Sequence, residues 1–208
     1  MNNLAILGAS GHGKVLAEIA EKIGWKNIFF FDDLFPKKKY LEHWKIIGTT
    51  DDLISQLNFF DGYIVGIGDN NVRLEKTRLL QSHSAKLISL KHPSSIVSNY
   101  SIIKEGSVIM AGVTINPFCK IGLSSIVNTM SSIDHDCILG EGVHIAPGVK
   151  MAGNINIGNK SFIGIGVTIK QGIQIGNNVI IGAGSLVLND LKSNLVAFGV
   201  PAKVSNLQ

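Results

Sequence analysis

Cysteine is nearly missing from this chain: two of 208 residues, Cys119 and Cys137, with no framework spacing. That excludes a disulfide-stapled scaffold and points to a reducing compartment. Long hydrophobic runs are missing too. Nowhere do about 18 apolar residues follow one another, and the opening Asn2-Asn3-Leu4-Ala5-Ile6-Leu7 carries no basic segment ahead of its short apolar run, so neither a membrane-spanning helix nor a signal peptide is expected. A cytoplasmic protein without membrane insertion is the expectation. There is also no block of one charge sign. The formal charge of +4 divides into +2 on each side of residue 95, so neither half is a basic tail and nucleic acid is not an expected partner.

What is present is a repeat, and it decides the architecture. From Val97 onward every sixth residue is aliphatic or Met: Val97, Ile103, Ile109, Ile115, Ile121, Val127, Ile133, Leu139, Ile145, Met151, Ile157, Ile163, Ile169, Ile175, Ile181 and Val187. With such residues at roughly a third of positions, chance supplies that run with a probability on the order of 10⁻⁸. Two residues before each stands a small or β-branched side chain, as at Ser107, Val113, Cys119, Ser125, Ser131 and Cys137. Two inward positions separated by one outward residue describe a very short strand. Gly122, Gly140, Gly158, Gly164, Gly176 and Gly182 follow inward aliphatics, where backbone freedom for a corner is expected. Three strands and three corners make an 18-residue triangular coil, and about five coils stack into a parallel β-helix. Aromatics are scarce within the repeat itself, being Tyr100, Phe118 and Phe162 only, as a narrow prism requires. Cys119 and Cys137, one coil apart, are read as buried neighbours.

Residues 1–90 follow another pattern and are read as a Rossmann-like α/β domain, with the β-helix over 91–208. Leu4–Leu7 is a buried-strand candidate, followed by the loop GASGHGK and a helix from near Lys14. Asn27–Phe31 is a second strand ending in Asp32 and Asp33, and Tyr63–Ile67 a third, leading to Gly68-Asp69-Asn70-Asn71 and a helix carrying Arg73 and Arg78. A Gly-rich turn opening a helix can hold a phosphate on its backbone N–H groups. The loop is not a nucleoside-triphosphatase loop, because Val15 stands where the magnesium-binding hydroxyl belongs. Nor is it the dinucleotide fingerprint, since its glycines fall at Gly8, Gly11 and Gly13. A nucleotide-sugar diphosphate is the expected occupant, with Asp32 and Asp33 placed to accept hydrogen bonds from its nucleoside.

Within the repeat lie two histidines. In the six-residue register His135 sits on a corner and His144, between inward Val143 and Ile145, faces outward. In Asp134-His135-Asp136 a carboxylate stands on either side of the ring, and one of them can fix the tautomer and raise the basicity of the imidazole. Acyl transfer from a thioester to an amine needs such a base, and it needs a donor for the developing oxyanion. Gly153, 18 residues after His135, falls on the same corner one coil on, about 5 Å away. Pro147, Ile165 and Ala183 form another corner column at the same spacing.

The loop GASGHGK, Asn128 seven residues before His135, the stretch HDCILGEGVHIAPGVKMAGNINIG and the terminal Gly199-Val200-Pro201-Ala202-Lys203 together resemble the sialic-acid and bacillosamine-pathway (NeuD/PglD-like) acetyltransferases of the hexapeptide-repeat superfamily. The resemblance covers nearly the whole chain. It implies a left-handed β-helix and acetyl-CoA-dependent N-acetylation of a nucleotide-linked amino sugar, specifically the 4-amino group of a UDP-trideoxy sugar. It implies His135 as general base, Asp136 as the partner that raises its basicity, and His144 and Gly153 as contacts to acetyl-CoA near the thioester. Ile165 and Ala183 would line the coenzyme groove between neighbouring β-helices of a homotrimer. Ser10, Gly11, His12, Asp32, Asp33 and Gly68 would hold the nucleotide sugar, with Asn128 near its reacting end. The best-matching members carry Glu where this chain has Asp136, one methylene shorter. No metal is implied: a zinc anhydrase on this scaffold needs three converging histidines, against His135, His144 and His92 at its start. Two alternatives remain open at this point, namely O-acetylation of a sialic acid or related sugar, and a trimeric nucleotide-sugar-binding scaffold without catalysis.

Overall fold

A computed structural model describes residues 2–205, so the last three residues of the region expected over 91–208 lie outside the described part. The chain divides into two compact units, residues 1–93 and 94–208.

The first unit is built on a five-stranded sheet. Its elements are β1 (Asn3–Leu7), α1 (Gly11–Lys22), β2 (Asn27–Phe31), β3 (Tyr40–Leu41), β4 (Trp44–Gly48), α2 (Thr50–Ser55), β5 (Gly62–Val65) and α3 (Asn70–Ser82), with sheet order β3-β4-β2-β1-β5. All pairings are parallel except the β3–β4 hairpin. Leu4 through Leu7 and all of β5 are buried, as a parallel sheet covered on both faces requires. One side of the core is aromatic: the ring of Phe60 meets Phe31 at 5.5 Å and Tyr63 at 5.8 Å, both edge to face. The chain runs from β1 outward to β2 and β4, then returns to β5 on the other flank of β1. The loops after β1 and β5 therefore leave the central strands in opposite directions and open a crevice at their carboxyl ends.

Local readings change in three places. Helix α1 starts at Gly11, a turn before Lys14, because Ser10 is extended (φ −124°, ψ −172°) and the chain winds immediately after it. Strand β5 ends at Val65, two residues before Ile67, because Gly66 packs against Gly8 and Gly13. The β3–β4 hairpin and α2 carry no sequence expectation; α2 is started by a capping box in which Thr49 and Asp52 exchange hydrogen bonds.

The second unit is a left-handed parallel β-helix. Sixteen two-residue strands run from Ile96–Val97 to Leu186–Val187 and fall into three parallel faces. The first face holds Ser132–Ile133 between Thr114–Ile115 and Lys150–Met151; the second holds Ile138–Leu139; the third holds His144–Ile145 between Ile126–Val127 and Phe162–Ile163. Inward residues such as Ile109, Ile133, Ile145 and Ile163 are fully buried, while Val97 and Ile103 of the opening coil are only half-buried. Serines of the second inward column donate to carbonyls of the next coil, Ser107 Oγ to Gly122 O at 2.8 Å and Ser125 Oγ to Gly140 O at 3.0 Å, so their burial leaves no hydroxyl unsatisfied.

The glycines after inward aliphatics have a different purpose from the one their position suggests. Positive φ falls two residues later in the corner, at Gly142, Gly148, Gly166 and others, not at Gly122 or Gly140. A Cβ on Gly122 would lie 2.3 Å from Gly140 O, and one on Gly158 would lie 2.5 Å from the Gly176 carbonyl carbon. Stacked coils approach too closely there to admit a side chain.

Candidate active site

His135 stands on the corner between the first and second faces, in the turn Asp134-His135-Asp136, with its side chain 57% exposed. The two flanking carboxylates divide their work. Asp136 Oδ2 lies 2.8 Å from His135 Nδ1. Asp134 Oδ1 instead accepts the backbone N–H of His135 at 2.9 Å and the side-chain amide of Asn116 at 2.8 Å. The Asp134 carboxyl is held below its usual range by the Asn116 bond first and the His135 N–H second. The hydrogen bond to Asp136 is the main cause that raises the His135 pKa. With Nδ1–H donated to a carboxylate, Nε2 carries the lone pair and points away from it, the arrangement of a general base. The shorter Asp side chain reaches because Asp136 lies in the left-handed region (φ 61°), with its N–H tied to Pro117 O at 3.1 Å.

Gly153 lies directly beneath the ring. A Cβ built on it would come within 2.6 Å of both His135 Cε1 and Nε2, so this corner must be bare for the imidazole to lie where it does. The coil below is bonded to it through Asn154 N–H to His135 O at 2.9 Å.

His144 lies on the third face, half-buried, its ring edge-on to Phe162 at 5.1 Å. Asn128 Oδ1 accepts the N–H of Thr129 at 2.8 Å, which fixes the amide orientation. Its Nδ2 therefore donates to His144 Nε2 at 3.2 Å, and the proton of a neutral imidazole sits on Nδ1. Asn128 and His144 are thus brought together. His135 is not with them: in a three-sided coil the corner between the first and second faces is opposite the third face. Ile165 and Ala183, both exposed, stack on the corner between the third and first faces, with Gly184 N–H bonded to Ile165 O at 2.8 Å.

In the first unit the predicted residues gather at the carboxyl ends of β1, β2 and β5. Gly8 (φ 108°), Gly13 and Gly66 interlock; a Cβ on Gly13 would meet Gly8 O at 2.5 Å, and one on Gly66 would meet the same oxygen at 2.8 Å. Ser10 Oγ donates to Gly66 O at 3.0 Å instead of capping α1. Gly11 and His12 form the first turn of α1, and a Cβ on Gly11 or Gly68 would meet nothing within 4 Å. Asp32 accepts backbone N–H groups from Ala9 at 2.8 Å and Leu34 at 3.0 Å. Asp33 accepts from Thr50 N–H at 2.8 Å and pairs with Lys76 at 3.0 Å. Partial burial opposes ionisation of Asp33, but the Thr50 and Lys76 bonds outweigh it and hold the carboxyl low. Both aspartates thus shape the loop walls with some of their lone pairs, leaving fewer for a nucleoside than their exposed-loop position suggests.

Sequence reasoning missed the role of Arg73. It is 1% exposed on α3, and its guanidinium donates to Gly68 O at 2.7 Å and to Asn70 Oδ1 at 2.8 Å. Burial lowers its pKa to about 10, and Asp69 opposes that shift. It braces the loop that carries Gly68. The signal for it was a cation on the inward side of a helix that starts directly after a Gly-containing loop.

Among the described residues no group of three or more His, Cys, Asp or Glu side chains is placed to hold a metal, and no helix is long and apolar enough to cross a membrane. Cys119 and Cys137 are buried free thiols, donating to Asp134 O at 3.0 Å and Ala152 O at 3.2 Å.

Residues 3–80 match the PglD N-terminal domain, and residues 154–189 match the bacterial transferase hexapeptide (six repeats). GDP-perosamine N-acetyltransferase of Escherichia coli is 30% identical over 171 residues, which cover 79% of this chain and 76% of that protein. The acetyltransferase domain of PglB from Neisseria gonorrhoeae, solved in complex with acetyl coenzyme A, superposes with a TM-score of 0.93 at 37% identity, covering 98% of both chains. PerB from Caulobacter crescentus, solved in complex with CoA and GDP-perosamine, superposes with a TM-score of 0.92 at 33% identity over 98% of this chain and 97% of that one. The chain belongs to the acetyl-CoA-dependent hexapeptide-repeat family of sugar N-acetyltransferases.

Proposed function

We propose that the enzyme transfers the acetyl group of acetyl-CoA to the 4-amino group of a UDP-linked trideoxy amino sugar, with His135 as the general base. The observation that carries this reading is the 2.8 Å bond from His135 Nδ1 to Asp136, which leaves Nε2 as an exposed base of raised basicity over bare Gly153. The amine nitrogen attacks the thioester carbonyl while Nε2 takes its proton. The tetrahedral intermediate collapses, the C–S bond breaks, and the imidazolium returns a proton to the departing CoA thiolate. The N–H of Gly153 is the donor for the oxyanion. Ser10, Gly11 and His12 hold the diphosphate at the start of α1, Asp32, Asp33 and Gly68 border the nucleoside, and Asn128 approaches the reacting end of the sugar.

The same reading requires a homotrimer. His144, Asn128, Ile165 and Ala183 lie away from the His135 corner of their own chain, so the coenzyme groove pairs the His135 corner of one chain with the third face of a neighbour. A GDP-linked acceptor is the second reading, favoured by the relatives that act on or bind GDP-perosamine.

Thiol release from acetyl-CoA, measured against UDP-, GDP- and dTDP-linked amino sugars and free sialic acid, tests both. Turnover with the UDP-4-amino sugar, lost about 10²-fold or more in His135→Ala, is expected. Turnover with sialic acid alone, or an undiminished His135→Ala rate, overturns the proposal.

A further inference from the structure

Two exposed aromatic rings lie on the corner column that carries the His135–Asp136 pair. Tyr100, Phe118, Asp136 and Asn154 occupy the same place in successive coils, 18 residues apart. Phe118 is 60% and Tyr100 71% exposed, and their rings lie 5.5 Å apart with an interplanar angle of 32°. The coils are tied together at this point by Asp136 N–H to Pro117 O at 3.1 Å. One strand spacing, about 4.8 Å, separates the Phe118 backbone from that of Asp136.

Phe118 is also held in the left-handed region, with φ 65°. Elsewhere this corner position is filled by glycines such as Gly112, Gly148 and Gly166 and by Asp136, Asn154 and Asn178, which suit that backbone, and by Ser124, Met130 and Lys160. Among the described residues Phe118 is the one aromatic at positive φ, where a bulky ring costs stability. Neither the exposure nor the strain serves the core, whose inward positions in this coil are Ile115, Cys119 and Ile121. An aromatic face that is both wet and strained, one coil from a catalytic imidazole, has the location of a substrate contact.

We propose that Phe118, backed by Tyr100, is the platform for the apolar edge of the acceptor sugar and selects a 6-deoxy sugar over its 6-hydroxy counterpart. This rests on the reading of His135 as the base for a sugar amine. In a 4-amino-4,6-dideoxypyranose the C5 methyl is the substituent next to the amino group. With the amine at His135 Nε2, that methyl and the adjacent C–H edge fall within reach of a ring one coil away. A methyl group buries against the aromatic face without loss, whereas a hydroxymethyl group must give up water with no partner on the ring.

The test uses the intact enzyme and a pair of nucleotide-linked 4-amino sugars differing only at C6. Phe118→Asn suits the positive-φ backbone, as Asn154 and Asn178 do at φ 58° and 53°, and Phe118→Tyr retains the ring. Phe118→Asn is expected to raise KM for the 6-deoxy acceptor about tenfold or more and to abolish the preference over the 6-hydroxy sugar. KM for acetyl-CoA and the oligomeric state stay as in the unaltered enzyme, the melting temperature does not fall because the strain at φ 65° is relieved, and Phe118→Tyr retains the preference. Unchanged acceptor kinetics in Phe118→Asn overturn the proposal. So does a change of oligomeric state, which makes Phe118 a contact between chains. Absence of turnover by the unaltered enzyme with every nucleotide amino sugar overturns both readings, whereas turnover with an unaffected KM in the variant overturns the platform alone.

Discussion

The imidazole of His135 rests on the backbone of Gly153: a methyl group there would sit 2.6 Å from Cε1 and Nε2 and 3.0 Å from Nδ1. Gly153 does not have positive φ, so Ala costs no backbone strain, and the ring it displaces is exposed and can move by giving up its bond to Asp136. Gly153→Ala should therefore fold normally, with stability within about 0.5 kcal/mol of the parent, yet lose roughly 10- to 100-fold in kcat through misplacement of the base. Steady-state kinetics beside a thermal melt checks this; an unchanged kcat removes the contact from the mechanism.

The pair of His135 with Asp136 sets the pH dependence. The base works in its neutral form, so activity falls as pH drops through its folded-state pKa. That pKa is raised by the Asp136 carboxylate, and the acid limb of the rate profile should lie above the ordinary histidine value of about 6.5. Asp136→Asn removes the charge while suiting the φ of 61°, and it should move the acid limb to lower pH as well as lowering the plateau. The difference between the two profiles cancels the titration of the acceptor amine, which both enzymes share. A profile that stays in place would mean that Asp136 only orients the ring.

Arg73 touches nothing that reacts, but its buried guanidinium holds Gly68 O and Asn70 Oδ1 together. Lys is a point donor and cannot hold two acceptors in a fixed plane. Arg73→Lys should raise KM for the nucleotide sugar about tenfold with KM for acetyl-CoA unaltered. Equal effects on both constants would show a general loss of structure instead.

Coil stacking makes a prediction of another kind. Gly122→Ala places a methyl group 2.3 Å from the backbone oxygen of Gly140, an overlap that only the coils themselves can relieve, at a cost of about 1–3 kcal/mol or more. Gly148→Ala meets nothing within 4 Å and bears only the penalty of φ 71°. Melting temperatures should fall further for the first variant than for the second.

The β-helix was legible because its repeat forces a decision at each residue. Once Ile133 and Ile145 point inward, His135 must be on a corner and His144 on a face, and both are. The register also identified Gly153 as the neighbour of His135. It did not reveal the choice between Asp134 and Asp136, which turns on the φ of 61° at Asp136 and the Asn116 amide drawing Asp134 away. Glycines 122 and 140 were visible but misread, since a sequence shows a missing side chain without showing whether dihedral freedom or space is the reason. The first unit was legible at Asn27–Phe31 and blurred elsewhere. Its hairpin strand Tyr40–Leu41 is too short for a period to show, and the aim of Arg73 depends on loop carbonyls that meet it only after folding.

The separation of His135 from His144 on opposite sides of one coil reaches into genetics. On the proposed trimeric reading, an allele lacking the first histidine and an allele lacking the second damage different sides of each interface. Co-expressed, the two chains would create some interfaces bearing both lesions and others bearing neither. Two defective genes in one cell should then restore part of the activity that each alone has lost, and purified single-allele proteins mixed without subunit exchange should not.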